Sequence, residues 1–199
     1  MAQAPRKEEL IRKAAIRVFA RKGFHRARAE EIAEEAGVAV GTIYNYFKSK
    51  EDLLLAIFQR EFDQEMDLYQ SLEKRGLSVS ERIRAILQAH FARLREEHGL
   101  GKVLVRERFN WSGEIAGRLL ELHRGMLERI EALIQEGVDQ GWVRPCNPQI
   151  VAPALFAIVE SIGACAMVYP EAEERGILDT APEELTSLIW KGLDKGGNP

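Results

Sequence analysis

Hydrophobic positions recur along most of the chain at three- and four-residue intervals, and the runs are separated by Gly, Pro or capping residues. Leu10, Ile11, Ala14, Ala15, Val18 and Phe19 form an unbroken stripe that predicts a helix from about Arg6 to Arg21, ended by Gly23. Ile32 and Ala33 mark a short helix over 29–36, and Ile43 and Phe47, four apart, mark another over 40–47. Gly37 stands between them, where a positive φ turns the chain sharply without a Cβ penalty, and Val38 plugs the corner. A long helix follows from Lys50 to about Leu72, with Leu53, Leu54, Ile57, Phe58, Phe62 and Tyr69 inward. After the break at Arg75-Gly76, Ser78-Val79-Ser80-Glu81 reads as a capping box for a helix to about Glu97, carrying Ile83, Ile86, Leu87, Phe91 and Leu94.

Gly99 and Gly101 bracket the next corner, and a short helix runs from Lys102 to Trp111 before a break near Ser112-Gly113. Ile115, Leu119, Leu122, Met126, Ile130, Leu133, Ile134 and Val138 then define a long helix that Gly141 stops. Asn147 caps a helix that starts at Pro148, reaches about Val168 and is apolar nearly all round. Thr180-Ala181-Pro182-Glu183 opens a last helix with Leu185, Leu188, Ile189 and Leu193. The expected fold is all-α, with about nine helices. A three-helix helix-turn-helix head occupies residues 1–50 and a helical body residues 51–199, linked by the helix that begins near 50.

With Ile43 and Phe47 turned inward, Gly41, Thr42, Tyr44 and Asn45 point outward at 100° per residue, and Tyr46 lies on the flank. Such a face fits the DNA major groove, where Thr methyls and aromatic rings meet thymine methyls and amides or hydroxyls bond base edges. Lys48 and Lys50 follow directly, as phosphate-neutralising charges would. Arg6, Lys7, Arg12 and Lys13 at the start of the first helix lie either along a DNA backbone or in solvent.

Charge sharpens this picture. The net charge of -3 conceals a head with 11 Lys+Arg against 6 Asp+Glu and a remainder with 17 against 25. A basic head on an acidic body is the layout of a chain of which one end meets a polyanion. Cys146 and Cys165 have no ligand-like spacing and read as reduced cytoplasmic thiols. The N-terminus lacks an apolar signal core. The apolar run from Ile150 to Tyr169 has the length of a membrane span, but Pro153, Glu160 and Ser161 and the lack of flanking Lys/Arg argue against one. His25, His90, His98 and His123 share no metal-ligand spacing, and no nucleophile-base pair or phosphate-cradling Gly loop occurs. The chain is expected to be no enzyme, with no catalytic residues, no metal and no cofactor; His90 reads as a core residue.

Ala36-Gly37-Val38, Gly41-Thr42-Ile43-Tyr44-Asn45-Tyr46-Phe47 and Lys48-Ser49-Lys50-Glu51-Asp52-Leu53-Leu54 together resemble the DNA-binding segment of TetR-type transcriptional regulators. Upstream the resemblance continues through Ala14-Ala15, Phe19, Gly23-Phe24 and Ile32-Ala33, covering roughly residues 5 to 60. The family often carries Thr or Ser where this chain has Ala27, Arg28 and Ala39, so the capping hydroxyls are missing and Arg28 is free to meet a phosphate or a base. The resemblance implies a cytoplasmic, homodimeric repressor on a palindromic operator, released when a small molecule enters the body. Arg28, Gly41, Thr42, Tyr44, Asn45, Tyr46, Lys48 and Lys50 are the implied DNA-binding residues.

Beyond the head, the break at Glu107 to Trp111, the helix reaching Ile134-Gln135-Glu136-Gly137 and the Gly141-Trp142-Val143 turn are similar to the fatty-acid-responsive TetR-type repressors. This implies a long-chain acyl-coenzyme A effector. Its chain would lie among Phe91, Leu94, Val105, Phe109, Leu122, Met126, Phe156 and Val159, and its phosphates near Arg106 or Arg108; the same apolar residues would also make a solid core. Drug-responsive regulators of efflux genes share the architecture, and a helical ligand carrier or enzyme with a degenerate head is the reading from another class. Ala154, Ala157, Ser161, Ala164 and Cys165, with Leu188 on the last helix, allow close approach of a symmetry mate in a four-helix interface. A central core helix of a monomer is the alternative.

Overall fold

The computed structural model describes residues 7–107, 113–169, 171 and 175–193. Nine helices of four or more residues occur among the described residues: α1 (Lys7–Lys22), α2 (Ala29–Ala36), α3 (Val40–Tyr46), α4 (Lys50–Lys74), α5 (Val79–Glu96), α6 (His98–Glu107), α7 (Gly113–Asp139), α8 (Pro148–Val168) and α9 (Ile177–Leu193). The chain divides into two compact units, Met1–Phe62 with Gly99–Leu120, and Asp63–His98 with Glu121–Pro199. The break between them falls within α4 rather than at its start, and the first unit takes in most of α6 and the beginning of α7.

In the first unit, Ile11, Ala14, Ala15, Val18 and Phe19 of α1 face Ile32, Ala33, Ile43 and Phe47, with Leu53, Leu54 and Ile57 of α4 closing the core. The small Ala14 and Ala15 let the neighbouring helices lie close. Gly37 adopts φ +66° as the corner requires, and two hydrogen bonds, Val38 N–H to Ala33 O and Gly37 N–H to Glu34 O, close the end of α2 in a Schellman motif. Val38 packs against the core. At the start of α4, Ser49 Oγ accepts the Asp52 N–H and Asp52 Oδ2 accepts the Lys48 N–H, both at 3.1 Å.

Helix α6 begins at His98, four residues before the sequence pattern places it, and Gly99 and Gly101 lie inside it rather than at a corner. The reason is packing. A Cβ on Gly99 would stand 3.4 Å from Ile16 Cγ2 and Ala20 Cβ, so the glycine lets α6 press onto α1, and Leu100 and Val103 join the first core. The expected continuation to Trp111 lies outside the described residues, as does Arg6.

In the second unit α9 packs along α5 and more lightly on α8. Tyr69, Leu87, Phe91, Leu94, Leu133, Ile134, Val143, Ala152, Leu185, Ile189 and Leu193 form its core. The Ser78 and Glu81 capping box is present: Glu81 N–H reaches Ser78 Oγ at 3.3 Å and Ser78 N–H reaches the Glu81 carboxylate at 2.8 Å. Asn147 Oδ1 accepts from Gln149 N–H at 3.0 Å and so caps α8. The last helix starts earlier than its pattern suggests. Gly176, at φ +61°, turns the chain, and its carbonyl takes the N–H groups of Asp179 and Thr180; Thr180 Oγ1 also donates to it. Thr180 is therefore inside the helix, and Pro182 sits buried in its second turn instead of opening the first.

The α7 stripe is also less buried than its pattern suggests: Leu133 and Ile134 are enclosed, whereas Ile115, Leu119, Leu122, Met126, Ile130 and Val138 are half-buried. Helix α8 is long and apolar enough to cross a membrane by length and composition, and only Ala152 and Gly163 along it are fully enclosed. Gly137 marks the tightest point of this unit. A Cβ there would lie 2.6 Å from Val143 Cγ2 and 3.4 Å from Val79 Cγ1, both on buried, stiff β-branched side chains. Gly137→Ala is expected to destabilise the protein by about 1–3 kcal/mol despite its better helix propensity, and Val143→Ala in the same chain should recover part of the loss. Urea midpoints of the two single variants and the double variant check this; additive losses would show that the Val143 methyl is not the obstacle.

Candidate nucleic-acid interface

Helix α3 has seven residues and is oriented by its own Ile43 and by Phe47, the residue directly after it. Ile43 and Phe47 are buried in the first core, which turns Gly41, Tyr44, Asn45 and Tyr46 to solvent and leaves Thr42 half-buried. Tyr44 is 53% exposed and Tyr46 47% exposed. Two large rings projecting from one short helix make a surface that folding alone does not explain. Ala39 offers no capping side chain, so the start of α3 relies on the backbone bond from Thr42 N–H to Ala39 O.

Arg28, at the start of α2, is exposed, and its N–H donates to Glu31 Oε2 at 3.1 Å. Only that half of a reciprocal cap exists, since a guanidinium has no acceptor to return. The acidic face of α2 is held against α1: Glu31 pairs with Lys22, and Glu35 with Arg17 at 2.6 Å and Arg21 at 3.1 Å. These hydrogen bonds hold both carboxyls below the ordinary 4.5. Their charge is thus offset locally, while His25, Arg26, Arg28 and Lys48 stand exposed.

Lys50 serves a purpose that the sequence does not suggest. Its ammonium donates to Phe24 O at 2.8 Å and Ala27 O at 3.0 Å and sits 4.4 Å over the Phe24 ring. Rather than facing solvent as a phosphate contact would, it ties the α1–α2 turn to the start of α4. That places the turn carrying Arg26 beside the segment carrying Lys48, and so adds Arg26 to the candidate surface. Nothing in the sequence separates Arg26 from any other exposed cation; only its turn's attachment does. Arg12 is a second reversal. It is 7% exposed and engages Glu9 at 2.7 Å and Glu61 at 4.0 Å, so it is buried and paired and does not stand open to solvent. Lys7 and Lys13 remain exposed.

The residues expected around an effector divide between the units. Val105 and Arg106 belong to the first. The Arg106 guanidinium donates to Phe19 O, and its Nε to Glu107 Oε1 at 3.0 Å, so this arginine is engaged at the end of α1 instead of standing open for a phosphate. Arg108 and Phe109 lie outside the described residues. In the second unit Phe91 and Leu94 are buried in the core, Met126 and Val159 are partly buried against that core, and Leu122 and Phe156 are half-buried, the Phe156 and His123 rings meeting edge to face at 5.0 Å. His90 is half-buried and stays outside the core; it faces Glu65 at 3.9 Å and the ring of Phe91 at 5.3 Å.

A shallow cleft of that unit has different walls: Tyr69, Leu72, Glu73, Arg82, Ile86, Arg129 and Leu133. Its arginines are matched by Glu73 and Glu136, and burial pushes the Tyr69 hydroxyl well up. Along α8, Ala154, Ala157 and Ser161 are exposed and Ala164 and Cys165 half-buried, and on α9 Leu188 is 59% exposed. Ile150 and Ile158 extend the α8 stripe with exposed apolar surface.

A family described as bacterial regulatory proteins, tetR family, matches residues 11–57, and one described as tetracyclin repressor-like, C-terminal domain, matches residues 76–164. The chain is 31% identical over 131 residues to the fatty acid metabolism regulator protein of Bacillus subtilis (strain 168), covering 66% of this chain and 68% of that protein. It is 36% identical over 181 residues to the HTH-type transcriptional activator FasR of Mycolicibacterium smegmatis, covering 90% and 80% respectively. Among solved structures, the transcriptional regulator FadR from Bacillus subtilis in complex with stearoyl-CoA superposes with a TM-score of 0.82 at 25% identity, over 92% of this chain and 98% of that one.

Proposed function

The chain belongs to the tetR family of bacterial regulatory proteins, and we propose that it is a cytoplasmic, homodimeric repressor whose hold on a palindromic operator is released by a long-chain acyl-coenzyme A. The observation that carries the DNA-binding part is the pair of exposed rings, Tyr44 and Tyr46, on a helix that Ile43 and Phe47 keep from rotating. Thr42, Tyr44, Asn45 and Tyr46 read base edges and thymine methyls in the major groove, Gly41 lets the helix approach closely, and Arg28 and Lys48 meet phosphates. The stearoyl-CoA complex of the FadR relative supports the effector class.

Two heads joined as a dimer must present their α3 helices about 34–36 Å apart to enter successive major grooves. An effector releases the operator only if it binds a DNA-incompetent conformation more tightly, and DNA then weakens the effector by the same factor. The apolar group Phe91, Leu94, Leu122, Met126, Phe156 and Val159 is the part of the body we assign to the acyl chain; it is packed here, so entry of a chain requires these side chains to move apart. The α8 stripe of Ala154, Ala157, Ser161, Ala164 and Cys165, with Leu188 of α9, is the surface we assign to the partner subunit.

Selection of bound duplexes from a random pool, followed by fluorescence anisotropy on the enriched palindrome, tests the reading. Stearoyl-CoA is expected to weaken that binding by about 5- to 150-fold; unchanged or tighter binding would remove the acyl-coenzyme A repressor assignment. Tyr44→Ala should cost about 1–3 kcal/mol on the enriched site and little on random DNA, and equal losses on both would take Tyr44 off the base-reading face. Ala157→Glu puts a charge into the assigned interface, so sedimentation should find monomers. A variant that still sediments as a dimer moves the interface elsewhere.

A further inference from the structure

Phe24 is gripped from two directions by side chains of two other helices. Its N–H donates to Glu107 Oε1, at the end of α6, at 3.2 Å, and its carbonyl accepts from Lys50 Nζ, at the start of α4, at 2.8 Å. Its ring lies under that ammonium and meets Phe19 edge-on at 5.4 Å. Lys50 also holds Ala27 O, one residue before the Arg28 that begins α2. On the α6 side, Arg106 clamps Glu107 and reaches Phe19 O, the same carbonyl that takes the Gly23 N–H. Gly23 leaves α1 at φ +82°, and a Cβ there would stand 3.6 Å from the Arg106 guanidinium carbon.

Glu107 is only 3% exposed. A buried carboxylate is a costly way to attach a helix, because an apolar contact of similar volume adheres as well without the desolvation penalty. What the carboxylate adds is register: a shift of α6 by a fraction of an ångström takes a 3.2 Å hydrogen bond out of range, whereas apolar contacts slide. The contacts form one path, from Glu107 through Phe24 to Lys50, that ends at the turn holding α2 and at the segment directly after α3.

We infer that Glu107 and Lys50 are positioning residues for operator reading, acting through Phe24 so that the placement of α2 and α3 depends on where the end of α6 sits. The inference rests on the proposed DNA-binding, effector-responsive function. Glu107 is buried, and the Lys50 ammonium is engaged by backbone carbonyls. Both make DNA affinity conditional on α6.

The test uses the full-length protein, its enriched palindrome, random duplex DNA and stearoyl-CoA as probes. The wild-type chain must first bind the palindrome and respond to stearoyl-CoA; failure there overturns the proposed function and leaves the relay without an object. Given that response, Glu107→Leu is expected to weaken palindrome binding about ten-fold, to leave random-DNA binding unchanged, and to bring the stearoyl-CoA effect close to nothing. Glu107→Gln, which keeps an acceptor for the Phe24 N–H, should restore both. Lys50→Met removes the ammonium at the other end and serves as the test if Glu107→Leu does not fold. It should lose palindrome affinity and stearoyl-CoA response with an unaltered salt slope, and the Glu107→Leu/Lys50→Met chain should be no worse than the worse single variant. A salt slope lowered by about one unit in Lys50→Met would make that lysine a phosphate contact. That result, additive losses in the double variant, or an intact stearoyl-CoA response in Glu107→Leu each overturns the relay.

Discussion

The burial of Ile43 and Phe47 is the constraint on which the head depends. Ile43 lies in the middle of a helix of barely two turns and Phe47 is the extended residue directly after it; together they fix the rotation of the helix about its own axis, because any other rotation would expose one of two large apolar groups. Burying side chains of this size is worth about 1.5–3 kcal/mol each, more than the helix could hold by propensity at that length. The exposed tyrosines are the outcome of that fixed rotation, and the Gly37 corner lets the core reach it without strain. Because the same helix has no side-chain cap, its place relies on tertiary contacts, and what adjusts those contacts adjusts the surface it presents.

The body is built on a different balance. Its core gathers α5, α8 and α9, with Gly163 bringing α8 to within 3.0 Å of Leu94 when a Cβ is imagined there. Yet α7 and α8 leave much apolar surface partly or wholly in solvent, and the polar groups are used in pairs such as Arg82 with Glu136 and Arg93 with Glu65. Pairs of this kind contribute little net stability when partly solvated but orient the helices they join. A domain with a modest core and generous apolar flanks is suited to accept both a second chain and a flexible apolar molecule.

How much of this is legible in the sequence depends on whether a residue's role is local. The Gly37 turn, the Ser78–Glu81 box and the Asn147 cap answer to neighbours within a few positions, so spacing alone reveals them. Gly99 misleads because a glycine that ends a helix and a glycine that admits a neighbouring helix look alike in sequence; the neighbour is α1, far away along the chain. Thr180 and Pro182 misread for a related reason: the start of α9 is decided by the left-handed Gly176, which the Thr-x-x-Glu pattern outranks on paper. The outward face of α3 follows from helical periodicity, whereas Lys50, Arg12 and Arg106 are cations whose partners are distant carbonyls or carboxylates. Charge tells what such residues seek and not where they find it.

The α8 stripe bears on how a cell would use this protein. If two copies must join before either head can grip its half of a palindrome, operator occupancy at low abundance rises with the square of the chain concentration instead of in proportion to it. Halving expression would then cut occupancy about four-fold in that regime by mass action. Unpaired chains, with Ile150 and Leu188 open to solvent, would be the ones presented to proteases and chaperones. Turnover of the lone chain would steepen the threshold further, giving gene control a sharpness that no single contact with DNA provides.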